Sequence, residues 1–182
     1  MSNPVQVLFV AGPAASGKSE FAKKLSAHLN YTWLDFDDFI NELINENKSL
    51  IDSIGMESFL AQVREKRYRE LIDRAVIAVK QSKSIVVSAP FTAEVQNQDL
   101  WDARIAPLTS LGISPKLCWI ETKPEVRRDR MVARASERDV EKKEEFANYT
   151  FQTITPVVER VTIDGEGDFA EVVAGIAADL AK

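Results

Sequence analysis

The sequence predicts an α/β fold in which helices cover both faces of a parallel sheet. Strand-like and helix-like segments alternate along the 182 residues, which is the order typical of layered α/β domains. All but the second of the strand-like segments are nearly continuous apolar runs, as expected for strands buried on both faces. The first run is followed at once by a glycine-containing loop and a helical pattern, and this order is the start of a βα unit.

The same patterns place each element along the chain. A repeat of Phe21, Leu25 and Leu29 predicts a helix after the first strand. Apolar residues at helical spacing predict a long helix over about residues 57–81 and a terminal helix from Phe169. No linker or repeat divides the chain, so residues 1–182 are predicted to form one domain. The predicted strands are residues 5–11, 32–35, 84–89, 116–121 and 160–163.

Residues 12–19 read Gly-Pro-Ala-Ala-Ser-Gly-Lys-Ser and fit the phosphate-binding pattern G-x-x-x-x-G-K-[ST]. A chance glycine turn is the alternative, but the strand before and the helix after favour the phosphate-binding loop. Backbone N–H groups and the helix N-terminus attract phosphate oxygens there. Lys18 is predicted to reach the β- and γ-phosphates, and the Ser19 hydroxyl is predicted to face Mg²⁺. The predicted nucleotide-binding residues of this segment are Gly12, Pro13, Ala14, Ala15, Ser16, Gly17, Lys18, Ser19 and Glu20.

Composition limits the classes of partner. The chain has 23 basic and 28 acidic residues and a formal net charge of −5, which disfavours a broad nucleic-acid surface. Cys118 is the only cysteine, so an intrachain disulfide is excluded, and its apolar neighbours predict a buried thiol. We find no basic leader and no apolar run near the ~20 residues that span a bilayer. These features predict a cytoplasmic protein without a membrane partner.

Two carboxylates follow the second strand. Asp35 and Asp37 are two residues apart where that strand should end, and ligands of open α/β sheets bind at the carboxyl ends of the strands. Phosphoryl transfer needs a group that orients the acceptor hydroxyl and charge balance at Mg²⁺. We predict that Asp37 orients the hydroxyl or acts as its base, and that Asp35 binds the metal through water. The alternative is that one or both carboxylates cap the N-terminus of the next helix.

A stripe of arginines follows the fourth strand. Arg127, Arg130 and Arg134 are spaced to share one face of a helix, and Arg138 continues that face. A solvated, salt-bridged helix would also produce this pattern. Guanidinium groups pair with phosphate oxygens and stack on bases, so Arg130 and Arg134 are predicted to contact the nucleotide.

The loop Gly12–Ser19, the Asp35-Phe36-Asp37 segment and the Arg130-x-x-x-Arg134 spacing together resemble the small P-loop kinases. These include adenylate, shikimate and gluconate kinases and the chloramphenicol phosphotransferases. The resemblance implies a three-layer P-loop NTPase fold: a five-stranded parallel sheet in the order 2-3-1-4-5, helices on both faces and a lid over about residues 130–148. It also implies phosphorylation, by ATP and Mg²⁺, of a hydroxyl on a small metabolite: a sugar, a sugar acid, a nucleoside or an antibiotic-like compound.

The resemblance also implies roles for single residues. A carboxylate at the position of Asp37 contacts the acceptor hydroxyl, and an arginine at the position of Arg130 packs near adenine. The loop at residues 164–166 borders the base. The predicted catalytic residues are Lys18, Asp37, Arg130 and Arg134.

The acceptor is expected between the second strand, the third strand and the long helix. Arg64 and Arg67 share a helix face and could grip an anionic acceptor, although pairing with Glu65 and Glu70 is the alternative. Phe91 is predicted to form an apolar wall, or else to belong to the core. Nucleoside monophosphate kinases carry Asp-Gly-aromatic-Pro-Arg where residues 88–92 read Ser-Ala-Pro-Phe-Thr, which argues against a nucleotide monophosphate as acceptor.

Two other functions stay open at the level of sequence. One is a kinase for a nucleic-acid 5′-hydroxyl or a nucleotide sugar, which a basic groove of Arg64, Arg67 and Arg69 would favour. The other is an ATP-binding regulatory module without kinase activity. The sequence is compatible with a monomer or a homodimer.

Overall fold

Five parallel strands form a single sheet in the computed structural model, which describes residues 4–38, 40–138, 151 and 153–180. The order is β2-β3-β1-β4-β5, and each neighbouring pair is parallel. The predicted order 2-3-1-4-5 is therefore confirmed. The strands are β1 (Val7–Ala11), β2 (Thr32–Asp35), β3 (Ile85–Ala89), β4 (Lys116–Glu121) and β5 (Val161–Asp164).

Helices connect these strands. The long helix predicted over residues 57–81 is present as Met56–Lys80, and the predicted terminal helix begins at Phe169. The helices are α1 (Lys18–Leu29), α2 (Ile40–Glu46), α3 (Lys48–Ile54), α4 (Met56–Lys80), α5 (Gln98–Thr109), α6 (Pro124–Arg138) and α7 (Phe169–Leu180), with a 3-10 turn at Glu94–Gln96.

The sheet separates two hydrophobic cores, because successive side chains of a strand point to opposite faces. Phe9 and Val87 pack with residues of α4 and α5 on one face. Val10 and Val86 pack with residues of α1 and α7 on the other. All residues of β1 and β3 are buried, which explains why these strands read as continuous apolar runs.

A side-chain cap fixes the start of α5. Asn97 Oδ1 accepts a hydrogen bond from the backbone N–H of Leu100 at 3.1 Å. We expect Asn97→Ala to lower the free energy of unfolding by about 1 kcal/mol, because one N–H of the first turn loses its partner. Denaturant unfolding measures this change. Gln98→Ala is the control: it removes only an exposed pair with Asp102, so an equal loss in both variants would contradict the cap.

The structure also bears on what the sequence indicated about Cys118, membrane-spanning helices and the lid. Cys118 is buried as predicted, and burial raises the pKa of its thiol to about 12, so the thiol stays protonated at neutral pH. No helix in the described part of the chain is long and apolar enough to cross a membrane. The predicted lid begins within α6, and residues 139–148 of that lid lie outside the described residues.

Candidate functional site

The Gly12–Ser19 segment forms a tight loop between β1 and α1. Gly17 precedes the helix with a left-handed φ of 96°, and the N–H of Ser16 donates to the carbonyl of Pro13 at 3.2 Å. Glycine adopts this φ without steric penalty, whereas a Cβ at Gly17 would also lie 3.2 Å from the ring of Phe169. Because α1 begins at Lys18, the backbone N–H groups of its first turn lie next to the loop, where an anion can accept from them.

The loop packs tightly against the end of β4. A Cβ on Gly12 would lie 2.6 Å from Ser16 Oγ and 3.1 Å from the carbonyl oxygen of Ile120. Ser16 is fully buried, and its Oγ has no hydrogen-bond partner within the described ranges. Gly12 therefore provides the space that the folded loop needs, which agrees with its place in the sequence pattern.

Donors from the end of β4 and from α6 hold the carbonyl groups of the loop. Arg127 Nε donates to the carbonyl of Ala14 at 2.9 Å. The carbonyl of Ser16 accepts from Thr122 Oγ1 at 2.9 Å and from Arg130 Nη1 at 3.1 Å. Because a peptide N–H points opposite to its C=O, these bonds help to orient the loop N–H groups away from β4 and α6.

Arg130 also ties the loop to the turn between β5 and α7. Its Nη2 donates to the carbonyl of Gly165 at 2.8 Å, and the N–H of Gly165 donates to the carbonyl of Glu121 at 2.7 Å. Sequence reasoning missed the roles of Thr122 and Gly165. Gly165 belongs to the loop that the resemblance places beside the base, but its packing against the Gly12–Ser19 segment carried no signal. Thr122 carried no signal either, because its role depends on contact with Ser16, 106 positions away in the chain.

The arginine stripe thus lies partly against the loop. Arg127 is buried, and its guanidinium lies 4.2 Å from the centre of the Phe151 ring. Arg127 and Arg130 bind backbone carbonyls with the edges of their guanidinium groups. The predicted contact of Arg130 with adenine stays a prediction. Arg134 and Arg138 belong to α6, but their side chains lie outside the described residues.

The acidic residues after β2 form a hydrogen-bonded turn. Asp35 is buried, and its carboxylate accepts from the Ser88 hydroxyl at 2.7 Å and from the N–H of Asp37 at 2.9 Å. Asp38 Oδ2 accepts from the N–H of Asp35 at 3.2 Å. Asp35 and Asp37 are therefore brought together at the end of β2, but the first carboxylate is buried and the second is exposed.

Asp37 is exposed and paired with an arginine of α4. Its Oδ1 accepts from Arg67 Nη2 at 2.6 Å, and the same nitrogen donates to the carbonyl of Phe36 at 3.0 Å. The Asp37 side chain is 70% exposed, whereas that of Arg67 is 7% exposed and lies 3.8 Å from the centre of the Phe36 ring. The structure therefore places a fixed guanidinium beneath an accessible carboxylate.

Phe91 does not form an exposed wall. Its ring is fully buried and packs at 5.3 Å from the Phe9 ring and 5.8 Å from the Trp101 ring. Its φ of 48° is unusual for a bulky residue, and its N–H donates to the Tyr68 hydroxyl at 2.9 Å. Phe91 is therefore a core residue and not a wall of the acceptor site. Burial of its apolar ring in the core removes it from water, which is favourable.

We expect Tyr68→Phe to lower the free energy of unfolding by about 1–3 kcal/mol, because the buried N–H of Phe91 loses its acceptor. Burial raises the pKa of Tyr68 to about 12, so this effect should be the same at pH 6 and pH 9. Chemical denaturation at both values measures it. Tyr31→Phe is the control, since Tyr31 lies at the other core, and equal losses in both variants would contradict the role of the Tyr68 hydroxyl.

Arg64 belongs to a network of charges around Tyr68. Arg64 lies 3.5 Å from Glu94, whose side chain is only 4% exposed, and 4.8 Å from the centre of the Tyr68 ring. Arg104 contacts both Glu65 at 2.8 Å and Glu94 at 3.1 Å. Hydrogen bonding to Arg104 lowers the pKa of Glu65. Glu94 was not singled out in the sequence, where a lone glutamate after the third strand carries no signal.

A cavity of about 610 Å³ lies beside the phosphate-binding loop. It opens between the loop, the end of β4 and the turn after β5. Lys18, Ser19 and Asp37 are not among its lining residues. Its lining residues include Pro13, Thr122, Arg127, Asp164 and Glu166.

Comparison with known proteins agrees with this geometry. A family model described as AAA domain matches residues 7–160. The chain belongs to this AAA domain family. A sequence comparison with curated proteins gives no match. The fold that the resemblance to the small P-loop kinases implies is confirmed by solved structures that share it.

Three of these structures cover nearly the whole chain. A provisionally assigned kinase from Chloroflexus aurantiacus is 18% identical, with a TM-score of 0.69, and the match covers 100% of this chain and 98% of that one. A gluconokinase from Sinorhizobium meliloti is 17% identical, with a TM-score of 0.60 and coverages of 100% and 94%. The APS kinase CysC from Mycobacterium tuberculosis is 16% identical, with a TM-score of 0.59 and coverages of 99% and 99%.

Proposed function

We propose that the protein transfers the γ-phosphoryl group of ATP to a hydroxyl group of a small metabolite. The observation that carries this proposal is the pairing of a phosphate-binding loop after β1 with the exposed carboxylate of Asp37 after β2. Both strands are parallel members of one sheet, so their carboxyl ends lie at the same edge. That edge is where open α/β sheets bind their ligands.

The loop and the first turn of α1 fit a nucleotide triphosphate. The left-handed Gly17 and the helix beginning at Lys18 supply backbone N–H donors, and Lys18 adds a positive charge for the β- and γ-phosphates. Bound Mg²⁺ would neutralise charge that develops on the phosphates. Ser19, partly exposed in that turn, would hold the metal directly, and Asp35 would do so through water because both of its oxygens already accept hydrogen bonds.

Asp37 would receive the acceptor. Its Oδ1 is held by Arg67, which leaves Oδ2 to accept a hydrogen bond from the acceptor hydroxyl. The hydroxyl oxygen attacks the γ-phosphorus, the bond from that phosphorus to the β–γ bridging oxygen breaks, and the hydroxyl proton passes to Asp37. The products are ADP and a phosphate monoester. Catalysis then depends on positioning and on neutralisation by Lys18, with Arg130 and Arg134 as the predicted lid arginines.

The structural neighbours support this proposal. The APS kinase was solved with AMPPNP and APS, a nucleotide analogue together with its named substrate, and the gluconokinase is named for a small hydroxylated substrate. The alternative of a nucleic-acid 5′-hydroxyl or a nucleotide sugar is less favoured, because two of its three arginines, Arg64 and Arg67, are paired with acids. The cytoplasmic location, the ATP-binding regulatory alternative and the choice between monomer and homodimer stay predictions.

An acceptor screen tests the proposal. Purified protein, Mg²⁺ and γ-labelled ATP are incubated with pools of sugars, sugar acids, nucleosides and aminoglycosides, and Lys18→Ala protein is the matched blank. We expect label transfer to at least one pool with the native chain and none with the blank. ATP binding without transfer to any pool, together with slow hydrolysis that no pool accelerates, would favour the regulatory module instead.

A further inference from the structure

We propose that Trp33 and Ser88 are positioning residues for the carboxylate of Asp37, on which they act through Asp35. A chain of hydrogen bonds, called the relay below, runs from the Trp33 indole to the Ser88 hydroxyl, then to the Asp35 carboxylate and to the backbone N–H of Asp37. This proposal rests on the phosphoryl transfer proposed above. It adds two residues that set the geometry of the reaction without contact with the acceptor.

The register of the sheet brings the three side chains of the relay together. Asp35 of β2 pairs with Ser88 of β3, and paired residues of parallel strands direct their side chains to the same face. Trp33 is two residues before Asp35 on β2, so its side chain lies on that face as well. Ser88 is fully buried, Asp35 is buried, and Trp33 is partly buried against the core on the side of α1. The polar groups of the relay therefore depend on one another for partners.

The chemistry of the three groups gives the relay a direction. The Nε1–H of Trp33 donates to Ser88 Oγ at 2.8 Å. An indole N–H can only donate, and an ionised carboxylate can only accept. The Ser88 hydroxyl can do both, so it accepts from Trp33 and donates its proton to Asp35 Oδ2 at 2.7 Å. Because linked hydrogen bonds that end on a charge strengthen one another, the relay holds the Asp35 carboxylate in one orientation.

The second oxygen of Asp35 extends the relay to Asp37. Asp35 Oδ1 accepts from the backbone N–H of Asp37 at 2.9 Å, and the carbonyl of Ser88 accepts from the N–H of Phe36 at 2.9 Å. These bonds fix the backbone from which the exposed carboxylate of Asp37 extends, and a misplacement of about 1 Å at a reacting group can cost about 10²-fold in rate. A carboxylate oxygen accepts two bonds, so each oxygen of Asp35 keeps a site for metal-bound water.

Variants of the full chain test the relay with Mg²⁺, γ-labelled ATP and an acceptor found in the screen. We expect Ser88→Ala to lower kcat by about 10-fold or more and to leave the Kd for ATP within about twofold, because the phosphate-binding loop follows another strand. Trp33→Phe keeps the Ser88 hydroxyl, so its loss should be smaller, and at a partly exposed position it remains testable if Ser88→Ala does not fold. Ser84→Ala is the matched control, because the Ser84 hydroxyl accepts from the N–H of Gln6 at 3.0 Å, at the other end of β3. Its kcat should be that of the native chain.

Hydrogen exchange followed by NMR measures the relay without catalysis. We expect the backbone N–H of Asp37 to exchange with solvent about 3-fold faster or more in Ser88→Ala, because its hydrogen bond to Asp35 is weakened. The same N–H should also exchange faster in Trp33→Phe, and at the native rate in Ser84→Ala. The indole N–H of Trp33 should exchange faster in Ser88→Ala, because it loses its acceptor.

The outcomes separate the relay from the proposed function. A native kcat in Ser88→Ala, or a native exchange rate at Asp37, would overturn the positioning role and leave the kinase proposal standing. A Trp33→Phe, Ser88→Ala double variant should have the kcat of Ser88→Ala alone, and a loss equal to the product of the two single losses would show that Trp33 does not act through Ser88. If the native chain phosphorylates no acceptor, the kinase proposal fails, and the exchange rate at Asp37 alone decides whether the relay exists.

Discussion

Asp37→Asn is expected to lower kcat by about 10²–10⁴-fold, because the amide cannot take the proton of the acceptor hydroxyl. The carboxylate of Asp37 keeps one oxygen on Arg67, and in the proposed mechanism the other accepts from the acceptor hydroxyl. Asparagine has nearly the same shape, so the substitution mainly removes the negative charge and the ability to take the proton. Initial rates of phosphoryl transfer to an acceptor found in the screen measure kcat. ATP binding, measured by calorimetry, should stay unchanged, because the phosphate-binding loop follows β1 whereas Asp37 follows β2.

Asp38→Asn is the matched control for this change. Asp38 lies in the same turn and is also exposed, but its Oδ2 accepts from the N–H of Asp35, a bond that an asparagine oxygen can keep. We expect its kcat to stay within about threefold of the native value, because neither the acceptor contact nor the pairing with Arg67 is touched. An unchanged kcat in Asp37→Asn, or an equal loss in both variants, would contradict the assignment of Asp37.

Gly165→Ala is expected to lower the free energy of unfolding by about 1–3 kcal/mol and to raise the Kd for ATP by at least ~10-fold. An added Cβ would overlap Thr122 Oγ1 and would lie 2.8 Å from the carbonyl oxygen of Ser16 and 3.0 Å from that of Glu121. Two of these neighbours are backbone atoms, which cannot turn aside as a side chain can. The turn after β5 must then move away from the loop, and the bond from Arg130 to the Gly165 carbonyl is lost or lengthened.

Gly175→Ala is the control for this substitution. Nothing lies within 4 Å of a Cβ at Gly175, which is an exposed residue inside α7. The alanine should increase the free energy of unfolding by roughly 0.5–1 kcal/mol, because glycine is the poorer helix former. Thermal or denaturant unfolding and titration with ATP compare the two variants. Native affinity for ATP in Gly165→Ala would show that the close packing of this turn does not position the loop.

Local patterns in the sequence predicted most of the fold. The strand boundaries agree with the structure within two residues, as the predicted 5–11 and the observed Val7–Ala11 show. The long helix differs from its prediction by one residue at each end. These elements were predictable because burial on both faces produces continuous apolar runs, and burial on one helix face produces a 3.6-residue repeat. Both signals lie within a short stretch of chain.

The phosphate-binding loop and the acids after β2 were predictable for a related reason. The loop needs glycines, a lysine and a hydroxyl at fixed spacing, so eight consecutive residues are enough to recognise it. The position of Asp35 and Asp37 followed from the end of a strand in a parallel sheet. The sequence did not predict which of the two carboxylates is exposed. That depends on the Ser88 hydroxyl of β3 and on Arg67 of α4, which contact Asp35 and Asp37.

The sequence by itself determined the α/β class, the order of the elements and the phosphate-binding loop, because short-range patterns of burial and glycine carry that information. Only the tertiary structure decided that Arg67 pairs with Asp37 and that Glu94 is buried between two arginines. It also decided that Thr122 and Arg130 bind a carbonyl of the loop and that Arg130 ties the loop to Gly165. These contacts join residues that are distant in the chain. They depend on the rotation of each helix and the packing of each turn, which no local pattern encodes.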